Sequence, residues 1–441
     1  MESMRQARNR SIRMALLTTV VARLSGVLLQ VVSLPIAAIQ LGAAGFSIYA
    51  MLGSLLAAMT LANLGIGQAT TLHMARVLAA GETRTGRELF LASLSVVGSI
   101  ATAVSILAVF LILLTPLIPM VFSQHLDEFP APIVPALFVC FVFLATQLLS
   151  VFEAAQLAQQ LQHRLNIAIS IGTFIAAGAV WFVVNADPDV LSILVAVHLP
   201  VIIARSVNAI DVWFDISPRL RDFAVARTHM RDILKDGLRF VSGTSVPNFL
   251  CHPFSVLIVG LFAMPIASAS FAAVMNAIIL ASSVNSLIVR PFRAAIPEAH
   301  QSGDYAWLRK AIARMSGASV IYGLFVFLIF AASGQWLFEI WYGGSVAPQP
   351  IELLGAGLYF LVLSIEITNF TYLSSTGFLP TASRLMFFKA LLSAISVLGV
   401  TYFGYFNYVF WALLGGNIVL SLIPLSAMSI SALQRQPKFA P

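Results

Sequence analysis

Residues 214–236 read FDISPRLRDFAVARTHMRDILKD, and they form the longest polar linker of the 441-residue chain. On both sides of this stretch, continuous apolar runs of about 20 residues follow one another, and an α-helix needs about that length to cross a bilayer. The stretch therefore divides the chain into two near-equal halves, each built from apolar segments that can span a membrane.

The composition supports a membrane protein and excludes other classes. Hydrophobic residues make up 59% of the chain and charged residues only 10%, whereas a soluble domain carries about 25% charged residues. A disordered chain would need low hydrophobicity. The apolar runs are continuous rather than alternating, which favours helices over the strands of a membrane barrel. Cys140 and Cys251 both fall inside apolar runs, so no disulfide is expected.

The chain holds twelve apolar runs that predict membrane spans. They cover residues 14–39, 47–70, 89–113, 132–154, 166–184, 190–212, 238–262, 266–290, 316–338, 351–373, 382–403 and 407–429. The odd-numbered loops between them contain no Lys or Arg. The chain has a net charge of +7, and nearly all of its basic residues, among them Lys389, are assigned to the opposite side. That side is predicted to be cytoplasmic, with both termini, and the basic residues then set topology rather than bind nucleic acid.

The two halves carry a weak internal repeat. We expect an N-terminal six-helix lobe at 1–213, a cytoplasmic linker at 214–237 and a C-terminal six-helix lobe at 238–441. A shift of 222 residues places Asn63 on Asn285 and Arg87 on Arg309. Six spans per half imply a parallel repeat about a pseudo-twofold axis, which is an alternating-access architecture with the substrate site between the lobes. The expected fold is therefore an all-α integral membrane protein of about twelve helices.

Several short motifs resemble those of bacterial polysaccharide flippases of the Wzx type. Leu41-Gly42 and Phe46 to Tyr49, followed by ANLGIG at 62–67, are similar to the family's LG…FG.Y and DLGLG pattern. Asn63 stands where the family has Asp, and Ser47 where it has Gly. Supporting stretches are RAAIPEAH at 293–300, followed by Gly303-Asp304, and IWYG at 340–343. The family belongs to a superfamily that includes multidrug extruders of the MATE type, so the resemblance also implies a MATE-like fold.

The resemblance implies a flippase that moves a polyprenyl-pyrophosphate-linked oligosaccharide to the outer leaflet of a bacterial plasma membrane for surface polysaccharide synthesis. No enzyme activity, cofactor or metal is expected. The expected partners are the lipid-linked oligosaccharide and membrane lipids, with polysaccharide polymerase or chain-length machinery as further candidates. One alternative is a cation-coupled multidrug antiporter, but spans one, seven and eight contain none of the carboxylates such a transporter usually carries. A non-transporting scaffold is a third possibility.

Arg23 is the first candidate site residue, because it lies about ten residues into span one and a charge at mid-membrane costs roughly 2.5–3.5 kcal/mol. Two interpretations stay open: a cationic wall for an anionic lipid head group, or a structural ion pair with Glu366 in span ten. Arg205, Arg239 and Arg290 lie near predicted cytoplasmic span ends. They are either interface anchors or the lining of a vestibule that attracts pyrophosphate.

Span seven supplies the remaining candidates. It is unusually polar, with Asn248 and His252, and it contains Pro247 and Pro253. Gln30 lies in span one, the repeat partner of span seven. Broken or polar helices at matching repeat positions indicate a translocation path, although helix packing through polar and small residues is the alternative.

Overall fold

The structure is a computed structural model that describes residues 2–127, 132–186, 188–217, 222–241, 245–289 and 292–435. The described residues form helices and connecting turns and contain no strand. Packing divides the chain into two units, Met1–Val241 and Ser242–Pro441.

The first unit is built from long apolar helices and several shorter ones. They are α1 (Glu2–Thr60), α2 (Ile66–Ala79), α3 (Thr83–Leu114), α4 (Leu117–Val121), α5 (Ile133–Ala158), α6 (Gln162–Val184), α7 (Val190–Ile216) and α8 (Asp222–Phe240).

The second unit has a similar make-up. Its helices are α9 (Val246–Cys251), α10 (Pro253–Phe262), α11 (Pro265–Val289), α12 (Phe292–Ser302), α13 (Tyr305–Tyr342), α14 (Pro350–Ser375), α15 (Leu379–Tyr402), α16 (Val409–Asn417) and α17 (Ile423–Arg435). A π-helical turn, Ile418–Leu422, joins α16 to α17.

The described helices account for the twelve predicted spans. Ten of them are long and apolar enough to cross a membrane, and the longest segment, Leu17–Asn63, has 47 residues. This segment contains most of the first and most of the second predicted span, and the backbone of α1 breaks between them at Gly42 (φ 66°, ψ −174°). The seventh predicted span, 238–262, corresponds to the shorter apolar helix Val246–Phe262, while residues 238–240 belong to α8. The ten long segments therefore correspond to eleven predicted spans, because Leu17–Asn63 covers two of them, and Val246–Phe262 is the twelfth.

The second span ends earlier than the sequence predicts. Leu64 and Gly65 both have left-handed backbone angles, with φ of 51° and 69°. That conformation interrupts a helix, so residues 66–70 belong to the separate helix α2 rather than to the predicted span 47–70.

The polar linker is not a simple connecting loop. Within the expected linker 214–237, residues 214–216 complete α7 and residues 222–237 form most of α8. Ile233 of α8 is fully buried in a hydrophobic cluster with α2 and α3. Two histidine–carboxylate contacts reinforce this packing, from His73 to Asp236 at 3.1 Å and from His229 to Glu88 at 3.8 Å. The linker helix is therefore part of the first unit.

A buried histidine lies in the turn that follows α4. His125 is fully buried, and its Nε2 lies 2.8 Å from Ser47 Oγ. Its Nδ1 has no partner among the described residues. Because burial penalises the charged imidazolium, the pKa of His125 is lowered to about 4.

Acidification is expected to destabilise the protein through His125. The folded-state pKa lies below the unfolded value of about 6.5, so the unfolded chain binds the proton first as the pH falls. Lowering the pH from about 7.5 to about 5 should remove up to about 2 kcal/mol of stability from this residue alone. Thermal unfolding in detergent at both pH values measures the loss. The His125→Gln variant keeps a hydrogen-bonding side chain without a titrating proton and should show a smaller pH dependence; an unchanged dependence would contradict this account.

Candidate functional site

Arg23 lies on the exposed side of α1, inside the apolar segment Leu17–Asn63. It makes no hydrogen bond or ion pair with any described residue. The opposite side of α1 packs on α6, where the hydroxyl groups of Ser25 and Thr173 lie 2.9 Å apart. Gln30 is also exposed and follows Arg23 by seven residues, a spacing that repeats on one side of a helix. The surface of α1 thus presents a cation and an amide from the same side.

Of the three arginines near predicted span ends, only Arg205 can be placed by its contacts. Its Nε donates to Glu153 Oε1 at 2.5 Å, and both side chains are mostly buried. This ion pair joins α7 to α5 and neutralises the charge of Arg205. Arg290 and the side chain of Arg239 lie outside the described residues.

The second unit brings two predicted site residues together in a polar chain. His252 lies at the break between α9 and α10, where Pro253 begins the next helix. Its Nδ1 is 3.2 Å from Asn248 Oδ1, and its Nε2 is 3.1 Å from the Tyr359 hydroxyl. An imidazole proton on Nδ1 satisfies both contacts, because Asn248 Oδ1 then accepts and the Tyr359 hydroxyl donates to Nε2. Asn248 is exposed and Tyr359 is fully buried, so this series of hydrogen-bonded side chains runs from the surface of the unit into its core.

A buried ion pair lies in the same unit. Lys389 Nζ donates to Glu366 Oε1 at 2.8 Å, and the two side chains are 3% and 1% exposed. The second carboxylate oxygen, Oε2, has no hydrogen-bond partner among the described residues. Cys251, which precedes His252, lies beside Lys389. The pair therefore connects α14 to α15 next to the break between α9 and α10.

This ion pair corrects one expectation from the sequence. Glu366 is paired with Lys389 rather than with Arg23. Lys389, which the sequence groups with the basic residues of the predicted cytoplasmic side, is buried in this contact rather than exposed in a loop. The sequence did carry a signal, since Lys389 falls inside the predicted span 382–403, where a charge requires a partner.

The Asn63 position of the motif has a structural role in the first unit. The Asn63 Nδ2 donates to Gln147 Oε1 at 2.7 Å and to Ser150 Oγ at 3.1 Å. Its Oδ1 accepts from the backbone N–H of Gly67 at 3.3 Å. The amide thus holds the start of α2 against α5. Among the described residues, no group of three His, Cys, Asp or Glu side chains could hold a metal ion.

The fold is that of a multi-pass, all-α membrane protein. The chain belongs to a family described as polysaccharide biosynthesis protein, which matches residues 15–302. This confirms the family expected from the motifs. No curated protein matches the sequence.

Solved structures with a similar fold are transporters of the MOP superfamily. One is an inward-facing multidrug resistance MATE family transporter, with 14% identity, a TM-score of 0.72, and coverage of 92% of this chain and 95% of its own. A MOP superfamily transporter from Pyrococcus furiosus, whose binding pocket is described as having reverse polarity, shows 15% identity, a TM-score of 0.57, and coverage of 95% and 97%. A mutant MATE transporter from Vibrio cholerae shows 14% identity, a TM-score of 0.61, and coverage of 98% of each chain. These similarities confirm the MATE-like fold.

Proposed function

We propose that this MOP-superfamily transporter flips a polyprenyl-pyrophosphate-linked oligosaccharide from the cytoplasmic to the outer leaflet of a bacterial plasma membrane, for the synthesis of a surface polysaccharide. Membership of the polysaccharide biosynthesis family supports this cargo. The structural observation that carries the proposal is Arg23, a cation inside an apolar helix that has no protein partner among the described residues.

An unpaired arginine in a membrane segment is costly, at roughly 2.5–3.5 kcal/mol on insertion scales. When an anionic cargo binds, its negative charge pairs with the guanidinium and offsets the cost of holding an unpaired charge in the membrane. The guanidinium suits a pyrophosphate because its planar set of N–H donors matches phosphate oxygens in pairs. Gln30, on the same side of α1, can donate to a further oxygen of the head group.

The driving force for an anionic cargo differs from that of a cation antiporter. With the cell interior negative, outward movement of each negative charge is favoured by about 2.3 kcal/mol per 100 mV. The carboxylate of Glu366 is occupied by Lys389, so it is not a free site for a coupling cation. Asn248, the exposed end of its hydrogen-bonded series with His252 and Tyr359, offers an amide of the kind that binds sugar hydroxyls.

The Arg23→Ala variant is expected to lower the initial flipping rate by about tenfold or more, because one charge-assisted contact to phosphate is lost. The Arg23→Lys variant should keep part of the activity, since the charge remains but the paired donors are lost. The measurement is the transfer of a fluorescent polyprenyl-pyrophosphate-linked saccharide across proteoliposomes. The Arg314→Ala variant, which removes an exposed arginine of α13, serves as the matched control and should flip normally.

A well-folded Arg23→Ala protein that flips at the normal rate would overturn the role of Arg23. Export of cationic dyes driven by an ion gradient, without any flipping of the lipid-linked saccharide, would instead support the multidrug antiporter. Both readouts use the same reconstituted protein, so the two functions are separated in one preparation.

A further inference from the structure

An open groove runs along the outside of the first unit between α6 and α7. Its volume is about 780 Å³, and its walls are mainly aliphatic side chains. Ile171, Ile175, Ile203 and Val207 line it, and each is between 51% and 63% exposed. Such a continuous exposed apolar surface inside membrane-spanning helices faces lipid or an apolar ligand.

Close approach of the two helices forms the floor of the groove. A Cβ at Gly172 would lie 2.8 Å from the Cα of Val201 and 3.0 Å from the Cβ of Ala204. Only glycine allows this contact, which is the small-residue packing of membrane helices. Pro200 lines the groove beside this contact. The larger isoleucines stand on either side of the floor, so the groove is a fixed feature of the packing.

The groove has one charged end. Arg164 and Asp211 line it there, and Arg164 Nη1 donates to Asp211 Oδ2 at 3.0 Å and to Asp215 Oδ2 at 3.1 Å. All three side chains are between 42% and 56% exposed. Among the described residues, two carboxylates face one guanidinium here, so the combined charge of these three groups is negative. Both contacts use one nitrogen of Arg164, so among the described residues its other N–H groups are able to donate to a ligand.

The length of the groove matches one leaflet of a bilayer. From Arg164 to Ile175 along α6 the helical rise gives about 16 Å, and from Asp211 to Leu199 along α7 about 18 Å. Half of a hydrocarbon core of about 30 Å is about 15 Å. A lipid with its head group at Arg164 would therefore extend its acyl chains along the full apolar length.

We propose that this groove is a binding site for a phospholipid whose head group contains both a phosphate and a primary ammonium, as in phosphatidylethanolamine. The phosphate would accept from the remaining N–H groups of Arg164, and the ammonium would donate to Asp211 and Asp215. A purely anionic head group is disfavoured, because the two carboxylates repel it. The same repulsion excludes the pyrophosphate of the proposed cargo, so this site is separate from Arg23 and does not rest on the proposed function.

Native mass spectrometry of the purified full-length protein tests the site. The protein is mixed with equal amounts of phosphatidylethanolamine and phosphatidylglycerol that carry the same acyl chains. Wild-type protein should retain phosphatidylethanolamine in preference to phosphatidylglycerol. The Asp211→Asn, Asp215→Asn double variant leaves Arg164 as the only charge of these three, and the ratio of the two bound lipids should shift by about tenfold or more toward phosphatidylglycerol.

Filling the groove provides a second test that does not depend on the charges. The Ile203→Trp variant should lose most of the bound phospholipid of both kinds. The matched control is Ile395→Trp on α15, where the isoleucine is 59% exposed, and it should retain lipid as the wild type does. Elution of each variant as a single species from size exclusion verifies that it is folded. If the aspartate double variant does not fold, the two tryptophan variants alone test whether the groove binds phospholipid.

Three results would overturn the proposal: equal retention of the two lipids by the wild type, an unchanged lipid ratio in the double variant, or unchanged lipid binding by Ile203→Trp. Displacement of phosphatidylethanolamine by a polyprenyl pyrophosphate at equal concentration would also overturn it. That outcome would assign the groove to the cargo instead.

Discussion

The Lys389→Met variant is expected to lose about 3–5 kcal/mol of stability, because it leaves the carboxylate of Glu366 buried without its counter-ion. Both side chains of this pair are almost fully buried, and Glu366 Oε2 accepts no hydrogen bond from any residue that the structure describes. The loss should appear as a lower unfolding temperature in detergent and as reduced abundance in membranes. An exposed surface pair would lose only about 0–1 kcal/mol.

The double variant Glu366→Gln, Lys389→Met tests whether the loss of stability comes from the unpaired charge of Glu366 or from the absence of the lysine side chain itself. Removing both charges removes the buried unpaired group, so most of the stability should return. The Lys310→Met variant makes the same substitution at an exposed lysine of α13 and should unfold at the wild-type temperature. If Lys389→Met also unfolds at that temperature, the ion pair does not stabilise the second unit. If the double variant is as unstable as the single one, Lys389 is required for another reason.

The number of membrane segments could be predicted from sequence, because continuous apolar runs depend on local composition. One boundary could be read in this way and another could not. The break at Gly42 falls in the predicted loop between spans one and two, whereas the predicted second span runs on to residue 70, past the left-handed angles at Leu64 and Gly65 that precede α2. Hydropathy is insensitive to a single change of backbone angle, so it merges helices that the backbone separates.

The ion pair between Glu366 and Lys389 illustrates why tertiary contacts were missed. The two residues are 23 positions apart on α14 and α15, and their contact depends on how those helices pack. Counting basic residues by side of the membrane placed Lys389 with the loop charges, since it lies near one end of its span. The contact of His252 with Tyr359 across 107 positions was also unpredictable from spacing, although His252 itself was identified.

The linker helix α8 could have been predicted from its spacing. Arg227, Arg231 and Lys235 are four residues apart, which places them along one side of a helix, while Ile233 falls on the opposite side. The structure confirms this division, since Ile233 is buried and Arg231 and Lys235 are exposed. The basic side of α8 is typical of a topology signal, whereas its apolar side docks α8 on the first unit.

The end of α8 docks at the backbone break between α1 and α2 through Gly237. A Cβ at this position would lie 2.5 Å from the carbonyl oxygen of Leu64 and 3.2 Å from the carbonyl carbon of Gly65. Backbone atoms cannot rotate away as a flexible side chain can, so the helix itself must shift. Such a shift would also disturb the contact of Asp236 with His73 and the buried position of Ile233.

The Gly237→Ala variant is therefore expected to lose about 1–3 kcal/mol of stability, as overpacked sites do. The matched control is Gly178→Ala in α6, where a Cβ meets no atom within 4 Å. That substitution should stabilise the helix by about 0.5–1 kcal/mol, so the two changes have opposite signs. Unfolding temperatures in detergent measure both. A cysteine at position 233, from Ile233→Cys, reports the docking of α8 directly: it should be protected from thiol reagents in the parent protein and react quickly once Gly237→Ala is added. Equal protection in both backgrounds, with no change in unfolding temperature, would mean that α1 and α2 accommodate the methyl group and that the close contact at Gly237 does not hold α8 in place.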